Sequence, residues 1–420
     1  MIRKKGARRI TVCLGEVAQE VGTLVFQSSG ARRSVSFAYM DSWLNDTNAF
    51  PLSPDLPLNA GYQYRAKVDH SQSAFFGCIA DTEPDGWGRM IIKRDHAKKR
   101  RARVLGDSPI ELLDDLDFLL WINDYSRMGA LRFRDESGIF CKISNDMQDA
   151  PALVDLAQLL SASKALEENR ETVADLEFLR ENGTSLGGLR PKCTIRDKDG
   201  SLAIGKFPSV NDTRSIVHGE VLALKLAADA GIDAARARII DSNGVPVAVI
   251  TRFDRINGKR IMYLSGRSIL QATSSEQYSY VDLADALRMY SGQATKDLHE
   301  LWRRIVFNIL INNVDDHLNN HGFLHQAHGQ WRLAPAFDLN PFPDKDRSLK
   351  TWISREAGDE ASLAEAVIVA PLFGFSKGAE KIVLEEVRYA VKRWKRVARS
   401  IGMSAVDIAN FEPAFEHPEL

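Results

Sequence analysis

The stretch Asn312-Asn313-Val314-Asp315-Asp316-His317-Leu318-Asn319-Asn320-His321-Gly322-Phe323-Leu324 holds four asparagines, two adjacent carboxylates and two histidines in its first ten residues. Polar groups at that density, running straight into Phe323-Leu324, exceed what solubility requires. Just upstream, Leu298, Leu301, Trp302, Ile305, Val306, Ile309 and Leu310 recur at i, i+3, i+4 and i+7 spacing. That is the pattern of an amphipathic helix with a buried stripe. The pattern predicts a rigid core helix that delivers its C-terminal end into a polar loop. Eighteen residues past Asn320 stands Asp338, in Leu333-Ala334-Pro335-Ala336-Phe337-Asp338-Leu339-Asn340-Pro341, after the strand-like Gln330-Trp331-Arg332-Leu333.

The order Asp315, Asn320, then Asp338 is what phosphoryl transfer asks for. That reaction is mostly positioning and charge neutralisation. It needs one aspartate to orient and deprotonate the attacking hydroxyl. It also needs hard oxygen ligands for Mg²⁺, supplied in kinases by an asparagine five residues on and by a second aspartate after a hairpin. Asp315 is the expected base, and Asn320 and Asp338 are the expected metal ligands. A D-x-x-x-x-N spacing alone is common; the downstream aspartate and the preceding core helix make it specific.

A cation for the phosphates is expected at Lys206, at the end of the run Leu202-Ala203-Ile204-Gly205-Lys206-Phe207. The bland alternative is a solvated surface lysine. Glu220 tips the balance, because it lies on the helix face of Val217, Val221 and Leu224. A carboxylate among apolar neighbours requires a partner. Lys206 is the natural one, as in the Lys–Glu pair of a kinase N-lobe.

Around this centre the chain reads as α+β, a small antiparallel-sheet N-terminal region followed by a mainly helical C-terminal lobe. Runs at 10–14, 21–26 and 34–37 alternate with period two. Residues 110–122 read as a helix capped by Ser108 with Pro109 at its first position. The polar segment 135–180 is expected to be helical in part, as at Ala152–Leu166. The Gly-containing loop Thr184-Ser185-Leu186-Gly187-Gly188-Leu189-Arg190-Pro191-Lys192 then leads into the strand Cys193-Thr194-Ile195. A hairpin turns at Asp199-Gly200, a helix spans Ser215–Ala230, and a second strand pair turns at Asn243-Gly244. The divisions are an N-terminal β-rich domain over 1–135, a connecting segment over 136–180, a kinase N-lobe over 181–270 and a helical C-lobe over 271–420.

Composition is that of an ordinary globular protein: 420 residues, 44% hydrophobic, 26% charged and a net charge of −1. No run approaches the ~18–20 apolar residues of a membrane span. The basic start lacks the apolar core of a secretory signal. The expectation is a cytoplasmic chain. Cys13, Cys78, Cys141 and Cys193 lack CxxC spacing, which argues against a cysteine zinc site. Lys93 to Arg103 contains seven basic residues, and Lys392 to Arg399 a second cluster. Such runs are usually solvated faces; they also suit an acidic partner or a phosphate backbone.

Three motifs together resemble those of the HipA-type toxin kinases, serine/threonine kinases of bacterial toxin–antitoxin modules. They are Ser185-Leu186-Gly187-Gly188-Leu189-Arg190-Pro191-Lys192, Asp315-Asp316-His317-Leu318-Asn319-Asn320 and Phe337-Asp338-Leu339-Asn340-Pro341. Asp85-Gly86-Trp87-Gly88-Arg89 and Met128-Gly129-Ala130-Leu131-Arg132-Phe133 resemble that family's N-terminal domain. The resemblance implies a HipA-like kinase fold using ATP and Mg²⁺. By it, Asp315 is the catalytic base, His317 the histidine beside it, and Asn320 and Asp338 the Mg²⁺ ligands. Lys206 is the ATP-phosphate lysine, and the 184–192 loop, with Gly187 and Gly188, covers the phosphates with Lys192 near the γ-phosphate. Ser185 takes the place of an autophosphorylated serine that switches the enzyme off. Arg252-Phe253-Asp254 resembles the segment entering the adenine-reading hinge. Implied partners are a HipB-like helix-turn-helix antitoxin, DNA through that antitoxin, and a protein substrate, in some members an aminoacyl-tRNA synthetase.

Three rival readings differ in class. A metalloenzyme would use His317, His321, His325 and His328, but Leu318 stands where HExxH chemistry needs glutamate. A small-molecule kinase would use the same D…N…D centre. A non-catalytic co-repressor would act on DNA through an antitoxin.

Overall fold

Period-two alternation at the N-terminus folds as expected. In the computed structural model, which describes residues 6–29, 32–66, 73–103, 112–141, 156–182, 188–343 and 347–420, β1 (Gly6–Leu14), β2 (Gln19–Ser29), β3 (Arg32–Tyr39), β4 (Tyr62–Ala66) and β5 (Leu131–Arg134) form one antiparallel sheet in the order β4-β3-β2-β1-β5. Alternate residues Ile10, Val12, Leu24, Phe26, Val35 and Phe37 are buried, so one face supplies a core and the other meets solvent. The short helices α1 (Asp41–Leu44) and α2 (Gly77–Ala80) follow β3 and β4. Then come α3 (Gly86–Arg103), α4 (Asp115–Leu120), α5 (Leu156–Glu167) and α6 (Val173–Asn182). A hairpin of β6 (Lys192–Arg196) and β7 (Leu202–Lys206) completes this stretch.

The helix expected over 110–122 begins later. Its first turn is at Asp115, with Asp114 as N-cap; Asp114 and Asp117 satisfy each other's backbone N–H groups in a capping box. The box explains the start, because it ends the helix ladder at Asp114. Arg8 of β1 donates to both carboxylates, at 2.8 Å to Asp117 and 2.5 Å to Asp114. Ser108, Pro109 and the expected helix start at Ala152 lie outside the described residues. Much of the basic charge on α3 is spent internally. Arg94 and Lys98 face the buried Glu171 at 3.8 and 3.5 Å, and Lys99 faces Asp95 at 3.1 Å. Among the described residues the four cysteines form no disulfide, and Cys13, Cys78 and Cys193 are buried.

The chain divides into two units. The first comprises residues 1–210 together with 254–263; the second comprises 211–253 and 264–420. In the second, α7 (Ile216–Asp229) is followed by β8 (Ala237–Ser242) and β9 (Val245–Thr251). Their two-residue turn has Asn243 at φ 55° and Gly244 at φ 81°, the conformation that Asn-Gly hairpins favour. The inserted piece of the first unit carries β10 (Arg255–Ile256) and β11 (Lys259–Arg260). Asp254 Oδ2 accepts from the Gly129 backbone N–H at 2.8 Å. Arg255 donates to the carbonyls of Arg127 at 2.8 Å and Gly129 at 3.0 Å. Arg260 donates to the Asp124 carbonyl at 2.9 Å.

The rest of the second unit comprises β12 (Tyr263–Ser265), α8 (Gly266–Ile269), α9 (Tyr280–Tyr290), α10 (Ala294–Leu310), β13 (Gly322–His325), β14 (Trp331–Leu333), α11 (Leu363–Val369), α12 (Ala379–Lys392), α13 (Trp394–Ser400) and α14 (Ala405–Phe415). The helix α10 is the axis of this unit and packs on α9, α11 and α12. Its stripe of Leu298, Leu301, Trp302, Ile305, Val306 and Ile309 is buried, and from Arg304 to Ile311 every residue is. Trp302 Nε1 donates to the Ala366 carbonyl at 2.7 Å. At the C-terminal end, Arg347 donates to the Ile309 carbonyl at 3.2 Å, and His417 Nε2 lies 3.0 Å from the Leu310 carbonyl. Cationic or N–H groups at this end satisfy carbonyls that the helix cannot. The helix therefore stops at a fixed place, and the polar loop starts there.

Gly266, at the start of α8, donates its N–H to the His321 carbonyl at 2.6 Å. A Cβ at this position would lie 2.8 Å from the Leu318 carbonyl oxygen and 3.3 Å from His321 Cβ. Backbone cannot yield as a flexible side chain can, so Gly266→Ala must push the 318–321 turn outward. The expected cost is about 1–3 kcal/mol, as for other overpacked sites, read as a lower urea midpoint with an unchanged m-value.

Candidate active site

The polar loop leaves α10 by a sharp turn at Asn312, whose φ is +52°. Asn312 is pinned there, donating through Nδ2 to the Phe342 carbonyl at 2.6 Å and accepting the Phe342 N–H at 3.1 Å. The loop then separates its two carboxylates. Asp315 is exposed, whereas Asp316 is 3% exposed. His317 is exposed beside the first. A short 3₁₀ turn, Leu318–Asn320, brings Asn320 back under the loop, where its Nδ2 donates to the Asp315 carbonyl at 3.3 Å. So the expected base and the expected metal-binding amide are joined directly through the backbone of the base.

The strands β13 and β14 pair antiparallel, Phe323 opposite Leu333 and His325 opposite Trp331. This hairpin returns the chain so that the Gly322 carbonyl accepts the Ala334 N–H at 2.7 Å. Four residues later comes Asp338, half-buried, with φ +55°. Aspartate tolerates that left-handed conformation better than most residues. Asn340 Nδ2 donates to the Asp338 carbonyl at 3.2 Å and to its Oδ1 at 3.3 Å. Phe337 meets the ring of Phe253, centroids 5.3 Å apart. That contact places the Arg252-Phe253 segment beside Asp338; Arg252 itself is buried.

Behind the loop lies a buried polar cluster. Asp316 Oδ2 accepts from the Tyr280 hydroxyl at 2.5 Å and from Asn308 Nδ2 at 2.8 Å. His321 Nε2 lies 3.0 Å from the same oxygen. Burial pushes the Asp316 carboxyl up, but His321 and the Tyr280 hydroxyl outweigh it and hold the group below its ordinary range. Burial, then the charge of Asp316, drives the Tyr280 hydroxyl well up, so it remains a donor. Asn308 Oδ1 accepts from Asn313 Nδ2 at 3.0 Å, and Asn313 Oδ1 accepts the Asn340 N–H at 3.3 Å. The sequence analysis quoted Asn313, Asp316 and Asn340 without giving them a task, gave His321 only to the rival metal reading, and missed Asn308 and Tyr280. Asn308 did carry a signal, as a lone amide inside the buried run Val306-Phe307-Asn308-Ile309-Leu310.

The remaining candidates of the second unit are simply placed. Glu220 is 2% exposed on α7 among Val217, Val221 and Leu224. In the first unit, Lys192 and Lys206 stand directly opposite each other on β6 and β7. Lys192 is 5% exposed and Lys206 half-buried. Gly188 has φ +95°, and a Cβ there would come within 2.5 Å of Lys192 Nζ. Only glycine admits both that backbone and that ammonium. The Gly188 N–H donates to Asp85 Oδ2 at 2.8 Å, and its carbonyl accepts the Trp87 N–H at 3.0 Å. So the Asp85-Gly86-Trp87 segment holds the C-terminal end of the glycine loop, a task the sequence did not disclose. Ser185 and Gly187 lie outside the described residues.

The donor chemistry suits Mg²⁺. Asp338 offers a carboxylate, and Asn320, with its Nδ2 turned to the Asp315 carbonyl, presents Oδ1 as a hard oxygen. Among the described residues no three His, Cys, Asp or Glu side chains gather as a metal cluster. A kinase-type Mg²⁺ site does not need three, because water and phosphate oxygens complete its octahedron. The histidines of the rival metal reading have other surroundings. His321 faces Asp316, while His325 packs on Trp331 at 5.3 Å and is pushed down to about 4 by burial and then by His328.

Comparison with known proteins gives the family of the chain. Residues 11–138 match the model of the HipA N-terminal domain, and residues 184–400 that of the HipA-like C-terminal domain. A Sinorhizobium fredii protein named "Putative kinase Y4mE" is 27% identical over 377 residues, covering 82% of this chain and 81% of its own. A Haemophilus influenzae protein named "Putative kinase" is 25% identical over 201 residues, covering 42% of this chain and 59% of its own. Among solved structures, a chain of the Shewanella oneidensis MR-1 complex of HipA, HipB and operator DNA superposes with a TM-score of 0.66. It covers 97% of this chain and 95% of its own at 15% identity, a likeness of fold. No helix among the described residues is long and apolar enough to cross a membrane. With its C-terminal match spanning more than half of the 420 residues, this α+β, kinase-like chain belongs to the HipA family.

Proposed function

We propose that this protein is an ATP-dependent serine/threonine protein kinase and the toxin of a HipBA-like toxin–antitoxin pair, working in the cytoplasm. The observation that carries the reading is the division of labour between two adjacent aspartates. Asp315 is exposed on a loop locked at both ends, and its neighbour Asp316 is buried and holds hydrogen bonds from Tyr280 and Asn308. An exposed carboxylate on a rigid loop is free to take a proton from an incoming hydroxyl.

In this reading Asp315 accepts that proton and orients the hydroxyl oxygen toward the γ-phosphate, with His317 beside it. Asn320 and Asp338 would hold Mg²⁺, which would supply charge neutralisation for the phosphate. Lys206, backed by Glu220, and Lys192, beneath Gly188, bind phosphate oxygens. Arg252 and Phe253 enter the adenine-reading hinge. Ser185 is the autophosphorylation site that turns the enzyme off. The regions are an N-terminal domain over 1–135, a connector over 136–180, a kinase N-lobe over 181–270 and a C-lobe over 271–420. The protein substrate is translation-related, such as an aminoacyl-tRNA synthetase. A HipB-like antitoxin links the chain to DNA, as the fold match to a HipA–HipB–operator complex supports.

Asp315→Asn keeps the shape and removes the base. Labelled phosphate from ATP should appear on a protein in lysate with the wild type and fall by about 10²–10⁴ with the variant. Undiminished transfer by Asp315→Asn sinks the assignment, and label on a metabolite instead of a protein makes it a small-molecule kinase. Ser185→Ala should abolish the main autophosphorylated peptide of the wild type; a wild type without phosphate on Ser185 removes the off-switch.

A further inference from the structure

An asparagine amide can usually be turned either way, since its two ends look alike. Here the ends of a chain of amides fix every orientation. Asp316 is acceptor-only as a carboxylate, so Asn308 must offer it Nδ2, 2.8 Å away. The Oδ1 of Asn308 is then left to accept, and Asn313 Nδ2 lies 3.0 Å from it. That leaves Asn313 Oδ1 as an acceptor, and at 3.3 Å it meets the backbone N–H of Asn340, which can only donate. The side chain of Asn340 reaches the carbonyl and Oδ1 of Asp338. Asn308, Asn313 and Asp316 are all buried, where a misdirected polar group costs most.

We infer that Asp316 is a positioning residue for Asp338, acting through Asn308, Asn313 and Asn340. This rests on the reading of Asp338 as a Mg²⁺ ligand. The two neighbouring aspartates then serve different partners: Asp315 serves the hydroxyl, and Asp316 is the charged, buried anchor of a relay that ends on the metal ligand. Hydrogen bonds to a ligating carboxylate fix its orientation, and losing them typically weakens metal binding about 10–100-fold. Replacing Asp316 by Asn removes the acceptor-only end. The Asn340 N–H still fixes the direction of the amides, but Asn308 then faces a neutral amide in place of a carboxylate, and the relay loses its charged anchor.

The test measures binding rather than turnover. Calorimetry follows a non-hydrolysable ATP analogue at rising Mg²⁺, in the wild type, Asp316→Asn, Asn340→Ala and Asp338→Asn, each checked for folding by thermal melting. Both Asp316→Asn and Asn340→Ala should bind the analogue as the wild type does without Mg²⁺. Both should require about 10–100-fold more Mg²⁺ to reach half of the metal's effect, a shift that a purely structural role would not produce. Asp338→Asn should lose the effect. If Asp338→Asn loses it while either positioning variant, folded, responds to Mg²⁺ like the wild type, the relay is overturned and the kinase reading stands. If Asp338→Asn also responds like the wild type, the metal assignment of Asp338 is wrong, and the relay falls with it. Should Asp316→Asn fail to fold, Asn313→Ala, which cuts the relay between Asp316 and Asn340, takes its place with the same outcomes.

Discussion

Burial of one carboxylate, Asp316, is the constraint on which the second unit of the molecule depends. A charged group taken from water is tolerated only when its surroundings are arranged for it. The arrangement here draws on α9 through Tyr280, on α10 through Asn308 and on the start of β13 through His321. Three elements are thereby tied to one oxygen atom. The loop between them has little freedom left, and the exposed Asp315 inherits its position from its buried neighbour.

The end of α10 imposes the second constraint. Its last turns are buried on every side, so the register of the helix cannot slip without opening the core. Arg347 and His417, from distant parts of the chain, close its final carbonyls. A backbone that is fixed at Leu310, turns at Asn312 and is tied again at Gly266 presents a constant geometry to whatever approaches. Rigid support of this kind is what lets a site work by positioning alone.

The sequence was most informative where periodicity is strong. The stripe from Leu298 to Leu310 located α10, and the Asn243-Gly244 and Asp199-Gly200 turns located two hairpins, because such signals are local. The spacing of Asp315, Asn320 and Asp338 was legible because one loop and one hairpin carry all three. The start of α4 was not legible, since the Asp114–Asp117 box competes with the Ser108-Pro109 signal and gains Arg8 from β1, more than a hundred residues away. Nor was the hold of Asp85 and Trp87 on Gly188, or the relay through Asn308, Asn313 and Asn340. Those depend on which residues meet in space, and a buried asparagine looks the same in a list of letters as an exposed one.

The short hairpin after Phe253 bears on how such a chain can be divided. By its contacts it belongs to the first unit, while both its flanks belong to the second. Asp254 and Arg255 answer the backbone groups of Arg127 and Gly129, so a fragment ending at Val210 would leave those groups exposed at a gap in its own surface. The two units are therefore interleaved along the sequence. Swapping one between relatives would have to carry this ten-residue graft along with it, and a split made at a single point would leave the first unit without it.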